Sequence, residues 1–245
     1  MAEILTAEQK SFYDENGYLV LEGVFSKDEC ARLRQDADEA SGGRFTNILD
    51  LHQRKESYHN LITSPKLLAI IDELQGKRMI PIGSIFFFCK PNNDLENGSN
   101  PHQDNYAAKA PYGSYLVVGV AIDDADESNG SLVVYPKIQK LGDLPNTPSK
   151  NFEKDERGNI TKAYPIGNKV EIPPEYKPVQ LRYKQGSIIL LHGHNVHSAP
   201  KNEHPSLWRR TIYLHYIKDG DPFWPGWNAR RQIMERDGKF VPLTA

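Results

Sequence analysis

Six short segments after residue 78 constrain the fold more than anything else in the chain. They are 79–90 (MIPIGSIFFFCK), 114–123 (SYLVVGVAID), 131–136 (SLVVYP), 179–184 (VQLRYK), 187–192 (SIILLH) and 209–216 (RRTIYLHY). Each is rich in β-branched or aromatic residues and bounded by Gly, Pro, Asn or Asp, the mark of strands that end in turns. None of these apolar runs approaches the length needed to cross a bilayer. The region before them reads as helix. Thr6 with Gln9, and Ser26 with Glu29, have capping-box spacing, and Gly17 and the Gly42-Gly43 pair close the two helices they open. Ser64-Pro65 opens a third, KLLAIIDELQ, stopped by Gly76, with Leu67, Leu68, Ile71 and Leu74 on one apolar face.

Several helices followed by several strands predict an α+β chain, and 245 residues suit one domain with one core. The expected architecture has a mainly helical part over 1–76 flanking a double-stranded β-helix (jelly-roll, cupin-like) barrel over 79–218, with a tail over 219–245. Residues 137–178, rich in Pro, Lys, Asn and Gly, interrupt the strands. A connection that long is expected to act as a lid or binding loop with a hairpin of its own; a disordered insert is the other reading. Trp224 and Trp227 in DPFWPGWN suit a second lid, a dimer contact or packing under a loop.

The formal charge of −2 favours neither nucleic acid nor an anionic membrane as partner. The N-terminus has no basic stretch leading into an apolar one, so no signal peptide is expected. Cys30 and Cys89 stand far apart and form no CxxC pattern, which suits a reducing cytoplasm and argues against a disulfide framework or a zinc site. A small-molecule substrate and a monomer or homodimer are expected.

The chemistry concentrates in two places. In NPHQDNY, His102 and Asp104 stand two apart, which on an extended strand puts both on one face. In GSIILLHGHNVHSAP, His192, His194 and His197 follow a strand-like run. An early and a late strand that face each other across a barrel mouth would unite two imidazoles and one carboxylate. That set leaves coordination positions open and suits non-haem Fe(II). Spacing does not decide among the three histidines, although a bend at 193–195 sets His197 apart. A later strand opens with Arg209 and Arg210, of which alternation allows one to face inward and hold a carboxylate. Arg209 shares its face with the Thr211 hydroxyl.

These residues resemble the phytanoyl-CoA dioxygenase family of Fe(II)/2-oxoglutarate oxygenases. The resemblance covers most of the chain: FYDENGYLVLEGVFSKDECARLR, FFFCKPNND, PHQDN, VAIDDADESNGSLVVYP, GSIILLHGHNVHSAPKN and WRRTIYLHY, in that order. It implies metal ligation by His102, Asp104 and His197, with His192 a packed or hydrogen-bonded strand-end residue. It implies a 2-oxoglutarate pocket with Arg209 as anchor, Arg210 as the fallback, Thr211 beside it and Phe86 on its wall. It implies O2 as co-substrate, release of succinate and CO2, and hydroxylation as the default outcome. Asp104 sets the chain apart from related halogenases, which carry a small residue there. Asn105, Tyr106 and His194 are candidates to line the substrate pocket, and Lys109 to meet an anionic group. The chain departs from the family where Gly119 stands in place of a common Trp, where PKIQK replaces PGSH, and where Ser198-Ala199 follows His197. These departures argue against transferring a phytanoyl-CoA substrate, and the lack of a broad apolar groove or CoA-sized basic cluster in the sequence favours a small polar metabolite or natural-product intermediate. Two other functions fit the same triad: a cupin-like metal enzyme that does not use 2-oxoglutarate, and a non-catalytic binding protein.

Overall fold

A computed structural model describes residues 3–92, 98–148, 152–154, 156, 160–163, 165, 167–226 and 231–241. Both predicted capping boxes form: the Thr6 and Ser26 hydroxyls accept from the Gln9 and Glu29 N–H groups, and those side chains return the bond. They open α1 (Ala7–Asn16) and α2 (Lys27–Ser41), which end on left-handed Gly17 and Gly42. A helix that the sequence reading lacks, α3 (Glu56–Ile62), precedes α4 (Pro65–Gln75), and a single turn, α5 (Asn105–Ala108), comes later.

Fourteen described strands follow the chain as β1 (Tyr18–Leu21), β2 (Ile48–Leu49), β3 (Met79–Phe87), β4 (Ser99–Gln103), β5 (Tyr115–Ala121), β6 (Val133–Tyr135), β7 (Asn146–Thr147), β8 (Phe152–Lys154), β9 (Ile160–Ala163), β10 (Lys169–Val170), β11 (Val179–Gln180), β12 (Ile188–His192), β13 (Val196–Ala199) and β14 (Thr211–Lys218). Two antiparallel sheets carry the architecture, ordered β1-β12-β5-β14-β3-β2 and β11-β6-β13-β4. The interrupting segment adds two small hairpins of its own, β7 with β10 and β8 with β9.

The larger sheet is buried on both faces, which is why YLVVGVA runs apolar without alternation. Leu116, Val118 and Val120 face the helices with Ile212, Leu214 and Tyr216, where Leu67, Leu68 and Ile71 of α4 cover them. Burying side chains of this size stabilises by roughly 1.5–3 kcal/mol each. Tyr115, Val117, Ile189 and Leu191 face the other way and meet Leu132, Val134, Leu181 and Tyr183 from the smaller sheet. The functional groups lie in and around this inter-sheet space. No helix among the described residues is long and apolar enough to cross a membrane, and Cys30 is buried while Cys89 is half-buried.

Candidate metal centre

β4 and β13 do not face each other across a mouth; they are hydrogen-bonded neighbours, with His102 directly opposite His197. Cross-strand partners sit on the same face, so the rings meet with centroids 4.4 Å apart. Asp104 arrives by another route than strand alternation. β4 ends at Gln103, and Asp104 takes helical backbone angles (φ −70°, ψ −29°) as the cap of α5. The turn swings its carboxylate back, leaving Oδ1 3.7 Å from His102 Nε2 and Oδ2 3.5 Å from His197 Nε2.

The tautomers follow from the partners. His102 Nδ1 lies 2.6 Å from Asn100 O, and His197 Nδ1 lies 3.4 Å from Asn195 O. A carbonyl only accepts, so each Nδ1 carries the proton and each Nε2 turns a lone pair toward Asp104. One donor atom from each residue lies within 4.8 Å of the other two, the single group of its kind among the described residues. Burial drives the His197 pKa down to about 4, which keeps that imidazole neutral and able to ligate. Burial opposes the Asp104 charge, but His197, His102, His215 and Arg231 outweigh it and hold the pKa below its usual value. Two imidazole nitrogens and a carboxylate converge, a donor set that fits a divalent cation.

Gln103, between the two expected ligands, points the opposite way. Its Nε2 donates to Gly142 O (2.8 Å) and His194 O (2.7 Å), and its Oε1 accepts from Leu144 N–H (2.9 Å). Asn100 Nδ2 donates to Pro165 O and Gly167 O, both at 3.0 Å. The interrupting segment is thus stapled to β4 at both ends, and Gly167 lies against the His102 ring, where a Cβ would stand 3.7 Å from Cγ.

The two arginines separate cleanly. Arg210 is spent on Asp123, with Nε and Nη2 at 2.7 and 2.8 Å from its two oxygens. Arg209 is buried between the sheets, its Nε donating to Asn129 O (3.2 Å) and Nη2 to Pro200 O (3.4 Å). Asn129 is set by the DDADESNG segment, where it completes a capping box with Asp126. Gly130 lets that segment approach the 200–201 backbone, since a Cβ there would stand 2.7 Å from Lys201 O. The Arg209 field reaches the Tyr183 and Tyr213 hydroxyls, whose pKa values burial raises and its charge partly restores. The buried Thr211 and Tyr183 hydroxyls lie beside each other and have no other hydrogen-bond partner. One inward cation beside buried hydroxyls fits a bound carboxylate.

Tyr213 belongs to this group and is absent from the sequence reading, although period-two alternation from Arg209 through Thr211 points to it. Its cross-strand partner is Gly119, and a Cβ on Gly119 would stand 3.1 Å from Tyr213 Cε1. Tyr213 from β14 thus fills the space that a side chain at Gly119 would take.

Phe86 does not line the pocket. It pairs with Ile212 and packs on the helix side against Tyr58 and Phe88. Phe87, opposite Thr211 and 5.5 Å from the Tyr213 ring, takes the inward position. In FFF every position is apolar and both sheet faces are buried, so the sequence carries no phase. Asn105 and His194 bind each other instead of a cavity. Asn105 Nδ2 lies 3.1 Å from His194 Nε2 and bonds Ala110 O, while His194 Nε2 stands 3.2 Å from Asp143 Oδ1. The turn at Asp104 rotates residue 105 away from the ligand face. Tyr106 is 52% exposed on α5. His192 accepts from the His194 N–H at 3.1 Å, and burial holds its pKa near 4, so it is a hydrogen-bonded strand-end residue. Lys109 stacks over Trp224 at 4.8 Å, and Trp227 lies outside the described residues.

Two neighbouring imidazoles and a carboxylate form a group that could hold one metal ion, and a buried arginine lies between the sheets. The model of the family described as phytanoyl-CoA dioxygenase (PhyH) matches residues 13–211. Peroxisomal phytanoyl-CoA dioxygenase of Mus musculus is 23% identical, over 87% of this chain and 68% of its own. Phytanoyl-CoA dioxygenase of Arabidopsis thaliana is 23% identical, over 94% and 96%. Among solved structures, the epimerase SnoN in complex with Fe3+, alpha ketoglutarate and nogalamycin RO superposes with TM-score 0.72 at 20% identity, covering 97% of this chain and 95% of that one. EctD from S. alaskensis with 2-oxoglutarate and 5-hydroxyectoine gives 0.66 at 19% identity, covering 90% and 78%. The chain belongs to the phytanoyl-CoA dioxygenase (PhyH) family and is an oxidoreductase of the dioxygenase type.

Proposed function

We propose that the protein is an Fe(II)/2-oxoglutarate-dependent dioxygenase, built on a jelly-roll arrangement of its two sheets, that hydroxylates an unactivated C–H bond of a small polar metabolite or natural-product intermediate. The observation that carries this is the paired orientation of His102 and His197: each Nδ1 lies against a backbone carbonyl and each Nε2 faces the Asp104 carboxylate. His102, Asp104 and His197 would hold the iron. Arg209 would bind the distal carboxylate of 2-oxoglutarate, and the Thr211, Tyr183 and Tyr213 hydroxyls would complete its hydrogen bonds. The bound iron, 2-oxoglutarate and O2 supply the oxidising equivalents, with succinate and CO2 as co-products.

The chain's own residues do the rest. Asn100 and Asn195 carbonyls fix the ligand tautomers. The backbone near Gly167 covers one face of His102 and restricts water there. The small-substrate reading is supported by the near-neutral overall charge and by Tyr213, which fills the space beside Gly119.

Anaerobic addition of Fe(II) and then 2-oxoglutarate should produce a weak visible charge-transfer band. Asp104→Ala and His197→Ala should lose metal binding in equilibrium dialysis, and Arg209→Ala should bind metal but give no band at moderate 2-oxoglutarate. A wild-type protein that binds iron and never develops the band would favour a metal enzyme that does not use 2-oxoglutarate.

A further inference from the structure

Beyond β14, residues 221–226 and 231–234 pass beside α5. Trp224 N–H donates to Ala108 O (2.6 Å), and Phe223 and Ile233 pack against the inter-sheet core. Met234, fully buried, donates its N–H to Pro81 O (3.0 Å). The tail is anchored on both sides of Arg231, so the position of that residue is imposed. Its Nη1 donates to Ala107 O at 3.1 Å, three residues past Asp104. Gly226 leaves room for the guanidinium, because a Cβ there would stand 3.2 Å from Nη1.

Arg231 differs from its neighbours in what it lacks. Arg210 is paired with Asp123 and Arg236 with Asp72. Among the described residues no carboxylate lies within ion-pair distance of Arg231, although its Nη1 reaches the turn that begins at Asp104. A half-buried guanidinium has five N–H donors, and one carbonyl does not satisfy them. Electrostatics adds a second argument, which rests on the function proposed above. The charges of iron(II), Asp104, dianionic 2-oxoglutarate and Arg209 cancel. Arg231 then leaves one uncompensated positive charge at the rim of the centre.

We propose that Arg231 anchors a carboxylate of the primary substrate, so that the enzyme selects mono-anionic metabolites and presents their C–H bonds from the α5 side of the metal. A guanidinium binds a carboxylate through parallel N–H bonds and fixes its orientation as well as its position. The tail is then part of the substrate site, with Arg231 its specificity-determining residue.

The test uses the anaerobic complex with Fe(II) and saturating 2-oxoglutarate. It is titrated with acetate as the probe and acetamide as the neutral isostere, and the charge-transfer band is followed by absorbance and circular dichroism. Acetate should shift the band of the wild type, and acetamide should not. Arg231→Gln should weaken the acetate response by about tenfold or more, the scale of a lost charge-assisted pair. Arg231→Lys should retain most of the response and supplies the comparison if the Gln variant does not fold. Equal responses to acetate and acetamide, no response to either, or an Arg231→Gln response matching wild type would overturn the assignment. A wild-type complex with no band at all would remove the 2-oxoglutarate reading first, and the charge argument with it.

Discussion

His52 should make the fold sensitive to acid, by an amount that can be worked out. It is 2% exposed on the helix side of the larger sheet, with Nδ1 2.7 Å from Ser84 Oγ and Nε2 without a hydrogen-bond partner. An imidazolium there would bury its second proton with nothing to accept it. Burial accordingly lowers the pKa from 6.5 to about 4; Asp50 opposes the shift and His59 adds to it. The unfolded chain takes up this proton first, so the contribution is fully present above pH 6.5 and is lost as pH falls toward 4. The whole loss is about 3 kcal/mol, and about 2 kcal/mol of it has gone by pH 5. That is a large part of the ~5–15 kcal/mol that holds a domain together. Urea unfolding of metal-free wild type and His52→Gln at pH 7 and pH 5 isolates the term, because every other titration cancels in the difference. The wild type should lose about 2 kcal/mol more than the variant between the two pH values. Parallel losses would refute the argument and show that the buried ring is protonated at no unusual cost.

Four further outcomes follow from the geometry. Arg209→Ala should weaken 2-oxoglutarate binding by about a hundredfold or more while leaving the unfolding midpoint little changed. Arg210→Ala should do the reverse, costing about 2–4 kcal/mol of stability by stranding Asp123, with 2-oxoglutarate affinity intact by titration calorimetry. Gly119→Trp should drive Tyr213 out of its place and raise the 2-oxoglutarate dissociation constant, and adding Tyr213→Ala should recover part of the loss, as a double-mutant cycle would show. Gln103→Ala, which removes three bonds to main-chain groups, should speed hydrogen exchange at 142–144 and cost roughly 1–3 kcal/mol.

What the sequence disclosed was local, and what it withheld depended on pairing. The capping boxes at Thr6–Gln9 and Ser26–Glu29 are complete within four residues, so they are legible without knowing the rest of the chain. β4 is the opposite case. SNPHQ has no apolar alternation and contains Pro101, and it is a strand because β13 pairs with it. That His102, Asp104 and His197 would come together was legible from HxD and HxxxxH, but the two histidines proved to be side-by-side partners, not opposed. Phase was the recurring loss. Arg209 and Arg210 are distinguished by Asp123, far away in sequence, and Phe86 and Phe87 by which face the helices cover. The role of Gln103 was invisible because its partners are backbone atoms.

Those backbone partners have a consequence of their own. The segment over 137–178 is moored to β4 through Gly142 O, Leu144 N–H, Pro165 O and Gly167 O, groups that every amino acid except proline supplies in full. At Leu144 and Pro165 such moorings leave the side chain open to change, whereas Gly142 and Gly167 sit at φ +70° and +85°, where a side chain is strained. The segment is thus free to diversify between those two glycines, while Asn100 and Gln103 stay as fixed cleats beside the candidate metal ligands.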